Sequence, residues 1–593
     1  MHYRILTLLL ISMMLFGLNG TLAQAATTTV ACSLSGTFTI TNNRVTGNDN
    51  CTGTATIPVE VISIGLNAFQ GAVALTAITI PAGVTSIGAG AFFRATALTA
   101  ITIPAGVTSI GESAFSAASR LKTVTFAANS QLTSIGESAF ENASALTAIT
   151  IPAEVTSIRA RAFYNASSLK TVTFAAGSQL TSIGAYAFAY ASALTAITIP
   201  AGVTSIGVGA FSAASRLKTV TFAAGSQLTS IGEAAFFGAS ALTAITIPAR
   251  VTSIGDNTFG YTSALTAITI PAGVTSIGVG AFAYASALTA ITIPAGVTSI
   301  GESAFQGAVA LTAIAIPAGV TSIGSRAFHS TNSLTTVTFA AGSQLASIGE
   351  SAFRGATALT AITIPAGVTS IGESAFYNAR ALAAITIPAG VISIGSNAFT
   401  GASALRSVYF LADKPTLASD TFSGVTGATA YIRSTALGYP AVGSLMDGLT
   451  IAEGVYTLTY NTNGGSAIAS GVVLQGLPIS APTPPTRSDY TFVGWSASDG
   501  GSTLTFPYVP STAGNITLFA KWITATPTYT ATNTATNTRT ATNTRTATNT
   551  RTATNTRTAT NTRTATRTAT STVTRTATRT ATNTPTASAT RIP

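Results

Sequence analysis

Charge is what this 593-residue chain has least of: Asp, Glu, Lys and Arg together make up 8% of it. Histidine and cysteine occur twice each, at His2, His329, Cys32 and Cys51. His2 falls in an N-terminal leader, so a Ser-His-Asp or Cys-His site would rest on His329 alone, with no fixed acid beside it. We therefore expect no enzyme. No His/Cys cluster has zinc spacing, and no glycine loop has the form that cradles phosphate, so no metal or cofactor is expected. Glu112, Glu137, Glu233, Glu302, Glu350 and Glu373 recur at one repeat position and form a rail. Glycoside hydrolysis needs two carboxylates facing each other across a gap. No run of 18 apolar residues follows the leader, which excludes a transmembrane helix.

What the chain has is one 23-residue phrase written again and again. It reads Leu-Thr-Ala-Ile-Thr-Ile-Pro-Ala-Gly-Val-Thr-Ser-Ile-Gly-x-x-Ala-Phe-x-x-Ala-x-x, in 15 copies over residues 52–404. Eleven copies have 23 residues; those starting at Leu121, Leu169, Leu217 and Leu334 have 25. A fixed short period means a solenoid, whose coils bury their flat faces against one another and offer a long surface instead of a pocket. Counting from the leucine, Ile at positions 4 and 6 alternates with Thr, as a strand with one inward face does. Pro at position 7 ends the strand. Val, Ile and the Ala-Phe pair turn inward later in the coil. Fifteen strands at ~4.8 Å spacing give a body on the order of 70 Å long. The four longer copies replace Ile-Pro-Ala-Gly-Val with a loop two residues longer, place Phe at position 6 (Phe126, Phe174, Phe222, Phe339) and lack the proline. They read as tolerated loop insertions.

The two ends differ from the repeat. Arg4, the apolar stretch Ile5–Leu18 and Ala23-Gln24-Ala25 have the form of a secretory signal, residues 1–25, with the mature chain starting at Ala26. In a secreted chain Cys32 and Cys51 are expected to form a disulfide that pins an N-terminal cap, residues 26–51. A lipid-anchored Cys32 is the competing reading, although Thr29 stands where a lipobox wants Leu. The formal charge of +11 is concentrated at the other end, where residues 523–593 hold nine Arg and no Asp, Glu or Lys. This Thr-Ala-Thr-Asn-Thr-Arg tail has almost no large apolar residue and is expected to be a disordered stalk. It would contact anionic envelope polymers by charge. No aromatic follows Tyr529 to stack on bases, so no specific nucleic acid is expected.

The repeat resembles the BspA-like leucine-rich repeat family: Leu98-Thr-Ala-Ile-Thr-Ile-Pro104, Ile110-Gly111 and Ala114-Phe115 carry the likeness. Many members have Cys three residues after the Phe, where this chain has Ala (Ala95, Ala118, Ala143). Residues 405–454 begin as a sixteenth coil and lose the rhythm, as a C-terminal cap does. Residues 455–522 resemble the Listeria–Bacteroides repeat, the internalin-type B-repeat. Tyr460-Asn-Thr-Asn-Gly-Gly465, Tyr490-Thr-Phe-Val-Gly-Trp495 and Ile516-Thr-Leu-Phe-Ala-Lys-Trp522 appear in order. The resemblances imply a mainly β protein: a leucine-rich-repeat solenoid, a small β-grasp-like module with its two Trp in the core, and a disordered tail.

Outward strand positions are Thr, Ala and Thr, a bland face without the Trp, Tyr and Arg that dominate protein interfaces. Variation concentrates in the two residues after the repeat Phe. Phe93, Arg94, Tyr164, Tyr190, Phe237, Tyr261, Tyr284, His329 and Tyr377 stand there and form a candidate binding edge. The alternative is drift at positions free of packing. The family resemblance implies a secreted or cell-surface adhesion or recognition protein, binding extracellular proteins, host or neighbouring cell surfaces, or glycans. A structural component of an envelope or biofilm, with many weak repeated contacts, is the alternative; binding to an ordered lattice is a third.

Overall fold

The structure, a computed structural model, describes residues 27–525. The leader and the Arg-containing tail lie outside the described residues. Every regular element among the described residues is a strand. Most coils contribute two. A longer one holds positions 3–6, as in Ala100–Ile103, and a two-residue Ser-Ile strand follows, as in Ser109–Ile110. Most pair in parallel with their counterparts in the next coil, as Ser86 with Ser109 and Ile87 with Ile110. Two parallel ladders thus run along the solenoid, each broken in places into separate sheets.

The first coil is seeded by a single strand. Thr27–Ala31, Ser35–Thr41 and Arg44–Thr56 form an antiparallel sheet. Arg44 and Val45 then pair with Ser63 and Ile64, while Gly53 to Thr56 pair with the strand Leu75–Thr79. Both sheets therefore start from the same 13-residue strand. Cys32 and Cys51 are joined, with Cα atoms 5.5 Å apart, which ties this strand to the turn after the first one.

Between the sheets lies a continuous apolar core. The repeat Phe stack from coil to coil, from Phe69 to Phe422, with ring centroids 5.0–5.6 Å apart and planes within 3–9°. Phe38 of the N-terminal sheet closes the column with a tilted ring 5.5 Å from Phe69. Glycine stands at position 14 in most coils, with Arg159 the exception, and at several of them it leaves room for the coil before. A Cβ on Gly88 would stand 2.6 Å from the carbonyl carbon of Gly65 in the coil before. The Thr that most coils carry at position 11, or 13 in the longer ones, also ties coil to coil. The hydroxyl of Thr156 donates to the Thr133 carbonyl (3.1 Å), which also accepts the Thr156 N–H (2.9 Å). The same pattern repeats at Thr181 and Thr204.

Residues 405–454 keep the ladder longer than the lost rhythm implies. Ser407–Phe410, Thr429–Ile432 and Leu449–Glu453 continue it as three more parallel strands. The module beyond is a four-stranded sheet. Its central strands, Val455–Asn461 and Ile516–Thr524, are parallel, and Gly471–Leu474 and Tyr490–Ser496 flank them antiparallel. Trp495 is buried in its core; Trp522 is half-buried and its indole donates to the Thr462 carbonyl at 2.9 Å.

Candidate functional site

The segment after the repeat Phe lies outside both sheets, on a ridge of turns stacked coil on coil. Backbone bonds alternate there. Phe92 and Arg94 donate to the next coil, at Ala114 and Ser116, while Phe93 and Ala95 close turns within their own coil, at Gly90 and Phe92. This alternation forces two left-handed residues per coil. One is the second residue after the Phe, with φ of 58° at Arg94, 60° at Tyr190, 58° at Tyr261 and 58° at Tyr284. Gly71, Gly238, Gly307, Gly355 and Gly401 occupy the same place elsewhere. The other lies two residues before the Phe and includes Tyr186, with φ of 55°. Left-handed backbone costs a residue with a Cβ roughly 1–2 kcal/mol.

The expected edge residues are all on this ridge, but they meet in four groups instead of one row. Near the N-terminal end, the Arg94 guanidinium lies 5.2 Å over the Phe93 ring. The next coils put Ser116, Ala117, Glu141 and Asn142 on the ridge, so this pair stands apart. Tyr164 and Tyr190 then meet edge-to-face at 5.3 Å, with Arg161 over Tyr164 at 5.4 Å. After one coil bearing Gly209, Ser212 and Ala213 comes the largest group: Phe237 to Tyr261 at 5.1 Å, and Tyr261 stacked on Tyr284 at 4.6 Å. Gln306 donates to the Tyr284 hydroxyl at 3.0 Å. Tyr190 and Tyr261 are each 48% exposed, and Tyr284 39%.

The fourth group is charged. Arg326 lies 3.5 Å from Glu350 and 3.9 Å from Glu302, joining two members of the acidic rail. Arg354 covers the Tyr377 ring at 4.3 Å. His329 is half-buried beside these side chains, and its Nδ1 is enclosed without a hydrogen-bond partner. Burial, then the charges of Arg354 and Arg326, hold its imidazole below the ordinary 6.5, which favours the neutral ring.

Two features escaped the sequence reading. Tyr186 is 38% exposed and leans over Gly209, whose lack of a Cβ makes room for the ring. The signal was a tyrosine where neighbouring coils have Gly, Ser, Asn or Arg. The second feature is a set of four clefts on the strand side, one beside each 25-residue coil. Their volumes are about 640, 690, 560 and 470 Å³. Phe126, Phe174, Phe222 and Phe339 each form a half-buried wall. Each of the four longer copies thus has a cleft beside it.

Among the described residues no group of three or more His, Cys, Asp or Glu is placed to hold a metal. No helix of the described residues is long and apolar enough to cross a membrane.

The BspA type leucine-rich repeat region, in six copies, matches residues 48–170, 125–242, 181–312 and 298–429. The chain belongs to the BspA-type leucine-rich repeat family. The module of this BspA-type chain matches the Listeria-Bacteroides repeat domain over residues 456–521. Among solved structures, it is similar to a leucine-rich repeat protein from Bacteroides ovatus, at 25% identity over 65% of this chain and 92% of that one, with a TM-score of 0.44. A leucine-rich cell surface protein from Faecalibacterium prausnitzii is 30% identical over 60% of this chain and 94% of its own, with a TM-score of 0.36. The pneumococcal vaccine antigen PcpA is 20% identical over 69% and 94%, with a TM-score of 0.36. BspA-type repeats are typically recognition scaffolds, without chemistry of their own, on cell-surface or secreted proteins.

Proposed function

We propose that the chain is a secreted or cell-surface adhesion protein without catalysis, and that the aromatic ridge of its solenoid contacts an extracellular protein or a neighbouring cell surface. The observation that carries this reading is the contact of Tyr164 with Tyr190 and of Phe237 with Tyr261 and Tyr284, with Tyr186 exposed on the same coil as Tyr190. Ala117, Ala213 and Ser330 share the left-handed site, so strain alone does not single out tyrosine. Grouping does: six large rings fall on five coils, and four of them occupy left-handed sites where Gly removes the strain. Exposed tyrosine clusters are what protein interfaces use as anchors. Drift would scatter them.

The cap, the module and the Thr-rich tail then serve as spacers that hold the ridge away from the surface of origin. The tail's contact with anionic envelope polymers belongs to the same proposal. A second reading, a structural part of an envelope or biofilm, is favoured by the sameness of the coils, which offers one weak contact many times.

Exchanging Tyr164, Tyr190, Tyr261 and Tyr284 for Ser together separates the two. Binding to a panel of purified matrix proteins and to intact cells should fall at least tenfold, with solenoid stability unchanged or raised. Unaltered affinity would sink the ridge reading.

A further inference from the structure

The four clefts share a construction that no ridge residue enters. In each 25-residue coil the strand pairs with the coil before it over four residues: Ala100–Ile103 with Thr123–Phe126, Ala148–Ile151 with Thr171–Phe174, Ala196–Ile199 with Thr219–Phe222, and Ala313–Ile316 with Thr336–Phe339. With the coil after it, pairing stops almost at once. Thr123 pairs with Ala148, Thr171 with Ala196 and Thr219 with Ala244, and the ladder then ends; at the fourth site it ends after Val337 and Ile362. The first two coils rejoin at the Thr156 N–H, which donates to the Thr133 carbonyl. The cause is local. Without Pro at position 7, the longer loop follows the preceding coil, with Ala127 and Gln131 bonded to Ile103 and Ala105, while the next coil turns away at Pro152.

The opened gap is lined alike each time. One wall is the Phe ring; across from it are the next coil's Thr and Pro, as Thr150 and Pro152 or Thr198 and Pro200. A serine at the rim (Ser130, Ser178, Ser226, Ser343) accepts from the N–H of Leu132, Leu180, Leu228 or Leu345, at 3.3–3.4 Å. That contact uses the serine oxygen as an acceptor, and the hydroxyl proton remains to donate. Glu154 is the only ionisable residue lining any of the four.

We infer that the clefts bind a neutral, linear polysaccharide. An aromatic face, several hydroxyls, opened backbone groups and, in three of the four, no charged residue suit a pyranose ring, which offers C–H faces to the phenyl and hydroxyls to the rest. Repetition strengthens the assignment. Near-identical sites select a ligand that repeats, and a folded protein does not present one group at regular steps. The clefts at the coils starting at Leu121, Leu169 and Leu217 are two coils apart, roughly 10 Å, about the length of a disaccharide. The fourth is five coils further on. Three tandem sites on one polymer gain by avidity. An extended peptide would fill one gap along its strand and make no use of the spacing.

The test uses the full chain in native gels containing neutral soluble glucans, mannans or xylans, and in pull-downs on cellulose and chitin. At least one neutral polysaccharide should retard the parent protein. Oligosaccharides long enough to reach three clefts should bind at least tenfold tighter than a disaccharide. The combined variant Phe126→Leu, Phe174→Leu, Phe222→Leu keeps apolar volume and should lose retention at least tenfold, with its thermal midpoint nearly unchanged. Phe339→Leu alone should lose little. The four-tyrosine ridge variant should bind glycan like the parent, which keeps this inference separable from the adhesion reading. Binding only to anionic glycans, only to extended neutral peptides, or equal retention of the triple variant would overturn it.

Discussion

Positions 17 and 18 of each coil and the two residues after them are neighbours in the chain, yet they obey opposite rules. The Ala-Phe pair faces inward, where every ring lies on the next at 5.0–5.6 Å and a missing methylene leaves a hole in a column. The following pair lies on the ridge, where large side chains such as Tyr190 and Tyr261 reach solvent and the backbone of the second residue is constrained. The inner pair is fixed in its letters because packing judges side chains. The second residue of the outer pair changes letters under a conformational demand that only glycine meets without strain. Sameness along the Phe column therefore reports packing, and the ridge is where stability is given up.

The largest effect should come from breaking the inner side. Phe211→Ala removes a fully buried ring between Phe188 and Phe236. It should destabilise the solenoid by about 3–5 kcal/mol, read as a lower denaturation midpoint, while a ridge tyrosine changed to Ser moves the midpoint little. Next comes Gly88→Ala, which pushes a methyl against the Gly65 backbone. A loss of about 1–3 kcal/mol is expected, measured by chemical denaturation. If the coils slide apart without loss, the close approach is not what holds glycine in that row.

Much of this contrast was legible in the letters. The alternation Ile-Thr-Ile and the proline stop gave the strand and its turn, and the constant Phe gave the core. The ridge was legible as a place of variation, though not as strained backbone. Gly71, Asn142, Asn165, Gly238, Gly307, Asn378 and Gly401 at one position were the available sign, because Gly and Asn are the residues that enter the left-handed region readily. The groups of rings were not legible, since which tyrosine meets which depends on the coil-to-coil offset across 23- and 25-residue units. The clefts were hidden for a similar reason. Loss of the proline was visible, but opening a ladder is a property of two adjacent coils, and the coil after each Phe126-type strand reads like any other.

A smaller, pH-dependent effect sharpens the same comparison at the charged end of the ridge. His329 titrates below 6.5 in the fold because of burial and the nearby Arg354 and Arg326. The unfolded chain therefore binds the proton more readily. The contribution of the neutral ring is fully present above pH 6.5 and is lost as pH falls below it toward the folded value. Glu302 and Glu350, which pair with Arg326, face the same cluster and moderate the effect. Denaturation midpoints of the parent should fall between pH 7 and pH 5 by more than those of His329→Gln. Equal slopes would place the ring outside the linkage.

The most direct test sets stability against recognition in one protein. Tyr190, Tyr261 and Tyr284, each with φ near +60°, are exchanged together for Gly, and the denaturation midpoint and the affinity for matrix proteins and cells are measured on the same sample. If these tyrosines are held for a partner, stability rises by about 1 kcal/mol or more per site while affinity falls at least tenfold. A rise in stability with affinity unchanged would contradict the account and leave the tyrosines as drift on a tolerant ridge.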